Sequence, residues 1–234
     1  MFWWQTQAGD GLTVAFTNTE AGNLALHVGD DPVRVLQRRA ALETAMGIPE
    51  GSLRFMNQVH SAVVAVADAV TPSVPAPTAD ALVSPDGSAP LAVMVADCVP
   101  VVLAGRKPDG GVVTAAAHAG RKGLLAGVLA NTVDRMQAAG AEGIRAWIGP
   151  AVCGLCYEVP EPMLEEAAGH MPELRSRTRA GTAALDLPAG AEAQLAALGV
   201  SAVRIGGCTL ESGDLYSHRR SSSAGRFAGL VWLS

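Results

Sequence analysis

The sequence predicts an α+β fold, and three observations carry that prediction. Short apolar runs of strand length, over 91–96 and 111–117, stop at polar residues, as buried strands do. A later stretch places Leu124, Leu125, Val128, Leu129, Val133 and Met136 at helical spacing, the 3.6-residue period of an amphipathic helix. With 234 residues, 49% of them hydrophobic, the chain can bury a large core. That length suits one sizeable domain or two small ones sharing an interface.

The elements follow in order. Residues 12–17 read as a strand, a turn falls at 20–22, and Leu24, Leu26 and Val28 form a second apolar stretch, so a hairpin-like start is expected. Asp30, Asp31 and Pro32 then open a helix with Val35, Leu36, Leu42 and Met46 on one face, closed by Gly47. Residues 55–67 alternate as a strand that contains His60, and 71–77 is a proline-rich loop. The run at 91–96 stops at Asp97 and Cys98, and 99–104 is a second apolar run carrying Pro100. The run at 111–117 ends at His118, with Gly120 before the helix. Trp147 and Ile148 close a strand at Gly149-Pro150, helices are expected over 161–170 and 189–198, and late strands over 203–205 and 227–233.

Composition excludes several function classes. A net charge of −5 without any Lys/Arg run cannot build the basic face that a phosphate-backbone binder needs, and low aromatic content leaves no stacking platform for single strands. Nucleic acid is therefore not an expected partner, and a small molecule is. The N-terminal residues lack a basic, then apolar, signal pattern, and no apolar run approaches the roughly 20 residues of a membrane span, so the expected location is cytoplasmic. Four cysteines without framework spacing fit a reducing compartment, where thiols are ligands, nucleophiles or core.

Polar residues placed where apolar strands run out are candidates for chemistry. Cys98 and His118 are such residues, and His60 lies in a third strand-like segment. One thiolate and two imidazoles suit zinc, and three protein ligands leave a fourth tetrahedral position open, the pattern of a catalytic rather than a structural site. Cys153 and Cys156 form C-G-L-C without a second CxxC or paired histidines, so they are expected to pack a turn, and Cys208 to be buried. Glu211 and Asp214 are expected in solvent. The stretch 105–111 lacks the P-loop pattern.

The segments NQVHSAVV, ADALVS, VMVADCVPVVLA, AAAHAGRKGLLAGVLANTVDRM, IGPAVCGLCYEV and YSHRRSSSAGR resemble the YfiH/PgeF family, also called the laccase-domain or polyphenol oxidoreductase family and the peptidoglycan editing factors. They occur in the family's order across most of the chain. The resemblance implies one catalytic domain over 1–234 with a layered α/β/β/α mixed-sheet sandwich. It implies a zinc-dependent purine nucleoside phosphorylase acting on adenosine, inosine, guanosine and methylthioadenosine, with adenosine deamination as a second activity. The family's metal ligands fall on His60, Cys98 and His118. Arg219 and Arg220 of the YSHRR motif are candidates for phosphate by bidentate geometry, Asn23 for substrate, and Asp97 for orienting a metal-bound histidine or acting as general base.

The chain departs from the family pattern in places. HAGRKG puts Arg121 and Lys122 where the family commonly has tryptophan and arginine. The early glycine-rich segment is shortened to residues 18–22, and His218 replaces a frequent aromatic. Other readings stay open: a hydrolase using Cys98 as nucleophile or zinc to edit peptidoglycan precursors, copper-dependent (Cu2+) phenol oxidation, and a non-enzymatic binding protein.

Overall fold

The chain starts with a hairpin: β1 (Phe2–Gly9) runs antiparallel to β2 (Leu12–Thr17). Asp10 and Gly11 join them with φ of 48° and 75°, the left-handed pair that a two-residue hairpin turn demands. The hairpin thus lies one strand earlier than the sequence reading placed it. Residues 19–21 form a single 3₁₀ turn capped by the Asn18 side chain, and Leu24 and Ala25 are buried in irregular backbone. The helix α1 (Pro32–Met46) is as expected, with the Asp31 carboxylate capping Val33 and Gly47 ending it in the left-handed region. Val35, Leu42 and Met46 are buried, whereas Leu36 is exposed. This computed structural model describes residues 1–69 and 75–233, so part of the proline-rich segment over 71–77 lies outside the described residues.

The rest of the chain builds two sheets. In order come β3 (Val64–Val66), β4 (Ala81–Ser84), β5 (Leu91–Val95), β6 (Val99–Arg106) and β7 (Val112–Ala119). The helices α2 (Arg121–Leu125) and α3 (Val128–Ala138) follow, then β8 (Glu142–Ile148) and α4 (Glu161–His170). Last are β9 (Arg175–Arg177), β10 (Ala183–Leu185), α5 (Leu187–Ala197), β11 (Ser201–Arg204) and β12 (Phe227–Leu233). The first sheet has the order β1-β2-β12-β5, the second β11-β8-β6-β7-β4-β3, and β9 and β10 form a small hairpin. The run expected as one strand over 55–67 is a strand only at β3. Its first half crosses the edge of β5, where Arg54 and Gln58 hydrogen-bond the main chain of 90–94.

Three hydrophobic layers define the architecture. Leu42 and Met46 of α1 pack with Ala15, Ala92, Leu230 and Trp232 on the outer face of the four-stranded sheet. Val14, Phe16, Val93 and Phe227 of that sheet meet Leu82, Val102, Ala116 and Trp147 of the other. Beyond it, Val101, Leu103 and Ala117 pack against Leu129 and Val133 of α3, Leu164 of α4 and Leu195 of α5. The order is α/β/β/α, a layered α+β fold. Covered on both faces, β5 buries every residue and β6 every residue but Arg106, so both read as continuous apolar runs while neighbours still alternate between layers. Among the described residues no helix is long and apolar enough to cross a membrane.

Candidate metal centre and its cleft

His60, Cys98 and His118 come together although they lie on three separate segments. Their ligand atoms all fall within 4.8 Å of one another. His60 Nε2 is 3.6 Å from Cys98 Sγ, and the two imidazoles meet edge to face at 4.7 Å between centroids. His118 is buried on β7, Cys98 is half-buried in the β5–β6 turn, and His60 is exposed. The trio is therefore backed by the fold on one side and open on the other.

Each ligand is held by identifiable bonds. Gln58 donates to and accepts from the main chain of Met94, which docks the His60 segment on β5. His60 itself has a φ of 62°, a conformation rare outside glycine. Asp80, fully buried immediately before β4, holds it there by accepting from the main-chain N–H of Val59, His60 and Ser61 and from the Ser61 hydroxyl. The same carboxylate lies 2.8 Å from His118 Nδ1, which leaves His118 Nε2 to face the Cys98 sulfur. Gly120 closes the site from below: a Cβ there would sit 2.6 Å from His60 Cδ2 and 3.1 Å from Cys98 Sγ. A soft thiolate, two borderline imidazoles and a carboxylate behind one histidine fit a zinc-class cation.

The electrostatics are those of a thiolate–imidazolium pair. Burial works to raise the Cys98 thiol, but the His118 charge and hydrogen bonds from both imidazoles bring it down to about 6. Burial works to lower His118, but the Cys98 thiolate and Asp80 raise it to about 9. Asp80 is held well below the carboxylate range: hydrogen bonds from His118 and Ser61 overcome the effect of burial. A metal ion held by this trio would take the place of a proton on His118.

The trio lines a cleft of 610 Å³ with Gln58, Asp97, Tyr157, His218, Arg219, His27 and Arg226 around it. Asp97, at φ 88°, accepts from the Thr209 hydroxyl at 2.6 Å and the Arg219 main-chain N–H at 2.7 Å. The carboxylate behind the histidine is therefore Asp80, not Asp97. Arg219 lies over the Tyr157 ring, 4.6 Å from its centroid, and donates to the Glu158 carbonyl. Arg220, expected beside it as a phosphate ligand, turns away. Its guanidinium donates to the carbonyls of Thr209, Leu210, Ser212 and Leu215, so it pins a loop and does not line the cleft.

Asn23, expected to touch substrate, is buried and bonded to Ala25, Asp30 and the Arg226 main chain. It shapes the wall that Arg226 and His27 complete. Arg121 opens α2 and is not among the residues lining this cleft. Asp80, His27 and Arg226 were not singled out from sequence. Only the ADALVS segment hinted at Asp80, because a lone acid before an apolar run has no place in a buried strand without a partner.

Comparison with known proteins agrees with the motifs. A family model described as multi-copper polyphenol oxidoreductase laccase matches residues 5–234. A purine nucleoside phosphorylase of Streptomyces coelicolor is 48% identical over 90% of this chain and 87% of its own length, and one of Mycobacterium tuberculosis is 42% identical over 90% and 84%. The fold is similar to that of a Neisseria meningitidis protein of the DUF152 family, at a TM-score of 0.82 and 32% identity over 100% of this chain and 99% of that one. Bacillus licheniformis YfiH also superposes, at a TM-score of 0.82 and 25% identity over 95% and 93%. The chain belongs to the laccase-domain family that includes the YfiH and DUF152 proteins.

Proposed function

We propose that the chain is a zinc-dependent purine nucleoside phosphorylase, with residues 1–234 as one catalytic domain. Adenosine, inosine, guanosine and methylthioadenosine are its substrates, and adenosine deamination is a second activity. The observation that carries this reading is the convergence of His60, Cys98 and His118 beside a cleft that Arg219 also lines, together with relatives named purine nucleoside phosphorylase. Phosphorolysis breaks the bond between the base nitrogen and C1′, forms a C1′–O bond to phosphate, and leaves a purine and ribose 1-phosphate. Deamination adds water at C6 of adenosine and expels the amino group as ammonia, leaving inosine. Zinc held by the trio supplies a Lewis acid and a fixed positive charge.

The chain's own residues do the rest. Arg219 is fixed by Tyr157 and the Glu158 carbonyl, and its planar fork meets phosphate. Asp97 stands in the cleft wall, oriented by Thr209 and the Arg219 main chain, where a carboxylate can take or return a proton. Asp80 fixes the His118 ring so that Nε2 faces Cys98 and His60.

A second reading rests on one specific feature. Cys98, His118 and Asp80 form a thiol–imidazole–carboxylate series, the arrangement of a nucleophilic cysteine, which suits a hydrolase acting on peptidoglycan precursors. The donor trio would also accept copper, in line with the family description, so metal quantification comes first. The test incubates metal-quantified protein with adenosine, with and without phosphate, beside Cys98→Ala. Phosphate-dependent adenine and ribose 1-phosphate, identified by mass spectrometry and absent from the variant, are expected. Intact nucleosides with zinc bound and phosphate present sink the reading; alkylation sensitivity without zinc then favours the hydrolase.

A further inference from the structure

Cys153, Cys156 and Cys208 do not serve the cleft, and they are not separate core fillers. Their sulfurs and a Glu211 carboxylate oxygen all lie within 4.8 Å of one another. All three cysteines are half-buried, free thiols, so Cys208 is less buried than its apolar surroundings in sequence implied. Zn–S bonds of about 2.3 Å set tetrahedral donors roughly 3.8 Å apart, a small contraction from this spacing.

Two turns present these donors in the same way. In the first, the Tyr157 N–H donates to the Cys153 carbonyl at 3.0 Å, and the Leu155 N–H faces the Cys153 sulfur. In the second, the Ser212 N–H donates to the Cys208 carbonyl at 2.9 Å, and the N–H groups of Leu210 and Glu211 face the Cys208 sulfur. C-x-x-C at 153–156 is thus matched by C-x-x-E at 208–211, and the Cys153 N–H reaches the Cys208 sulfur at 3.5 Å across 55 residues of chain. The turns are also tied by the pairing of Ala151 with Cys208 and by the Thr209 N–H on the Ala151 carbonyl. Glu211 accepts from Arg179 through Oε1, and one oxygen of the same carboxylate lies within 4.8 Å of each sulfur.

We propose that Cys153, Cys156, Cys208 and Glu211 form a second, structural metal site that takes a thiophilic divalent cation of the zinc class. Four closed donors distinguish it from the three-donor cleft site. The ion clamps two turns whose neighbours hold the cleft, since Thr209 orients Asp97 and Glu158 anchors Arg219. The inference stands whether or not the cleft performs phosphorolysis.

The test measures zinc in the reduced, full-length chain after gel filtration, beside Cys98→Ser and Cys156→Ser, and follows cobalt substitution by absorption. Two zinc ions per chain are expected in the wild type and one in each variant. Cys98→Ser loaded with cobalt should still show thiolate-to-cobalt charge transfer, and its remaining three thiols should react with a disulfide reagent only after a chelator is added. Cys98→Ser that binds neither zinc nor cobalt, with three thiols reacting at one rate with and without chelator, overturns the proposal. This thiol measurement does not depend on Cys156→Ser folding.

Discussion

Cys98 and His118 titrate as a pair, because each stabilises the charged form of the other in a buried setting. Between pH 6 and 9 the metal-free site therefore carries a thiolate and an imidazolium. Capture of Cys98 by iodoacetamide, followed on its peptide by mass spectrometry, should rise with a midpoint about 6. In His118→Ala the midpoint should return toward the ordinary thiol value of about 8.5; a wild-type midpoint already there would refute the pair. Asp80 is the residue on which both histidines depend. Asp80→Asn removes the buried charge beside His118 and turns one of the two accepting oxygens into an NH2 group that faces N–H donors, a change that costs roughly 3–5 kcal/mol. Because its folded-state value is depressed, its contribution is present above the ordinary value of about 4 and is lost as pH falls below it. Urea midpoints of the metal-free wild type should thus fall more steeply on acidification from pH 5 than those of the variant.

At the scale of elements, the site depends on how closely segments approach. β7 delivers His118, the β5–β6 turn delivers Cys98, and Gly120 at the head of α2 lets the His60 loop lie against both. The φ of Gly120 is −73°, so any residue can adopt its backbone; only the missing Cβ matters. If the trio holds zinc as proposed, Gly120→Ala should weaken its binding about tenfold or more, by analogy with the loss of supporting contacts at metal sites, while leaving the melting temperature of the metal-free protein nearly unchanged. A chelator competition titration beside calorimetric melting separates the two effects. A large drop in metal-free stability with unchanged affinity would show that the glycine serves the fold instead. The break between α2 and α3 at Gly127, with φ of 86°, is a similar local device: one predicted helix becomes two.

The whole molecule is held by the contact between its sheets. Phe16 is fully buried there, with its ring against Gly149 and Gly229 at distances that leave no room for a Cβ. Phe16→Ala should lower unfolding free energy by about 3–5 kcal/mol, read from urea denaturation. Zinc affinity should hardly change, because the ring does not line the cleft. Coupled loss of both would mean that the site needs the exact spacing of the sheets.

What the sequence determined by itself was whatever depends on local pattern. The helices α1, α3 and α4, the strands β5 to β7 and β12, and the strand-end positions of Cys98 and His118 all follow from periodicity, capping and abrupt polarity. The family motifs then added the layering. Tertiary structure decided what depends on approach between distant segments. A strand-like run at 55–63 became a loop because its hydrogen bonds go to Asp80 and the β5 edge. Two adjacent arginines took opposite tasks because carbonyls of 209–215 surround only the second. Cysteines that looked like turn filler met Cys208 and Glu211 because two short turns lie side by side. Such meetings leave no trace in local spacing, since the residues that make them are separated by long stretches of chain that only folding brings back together.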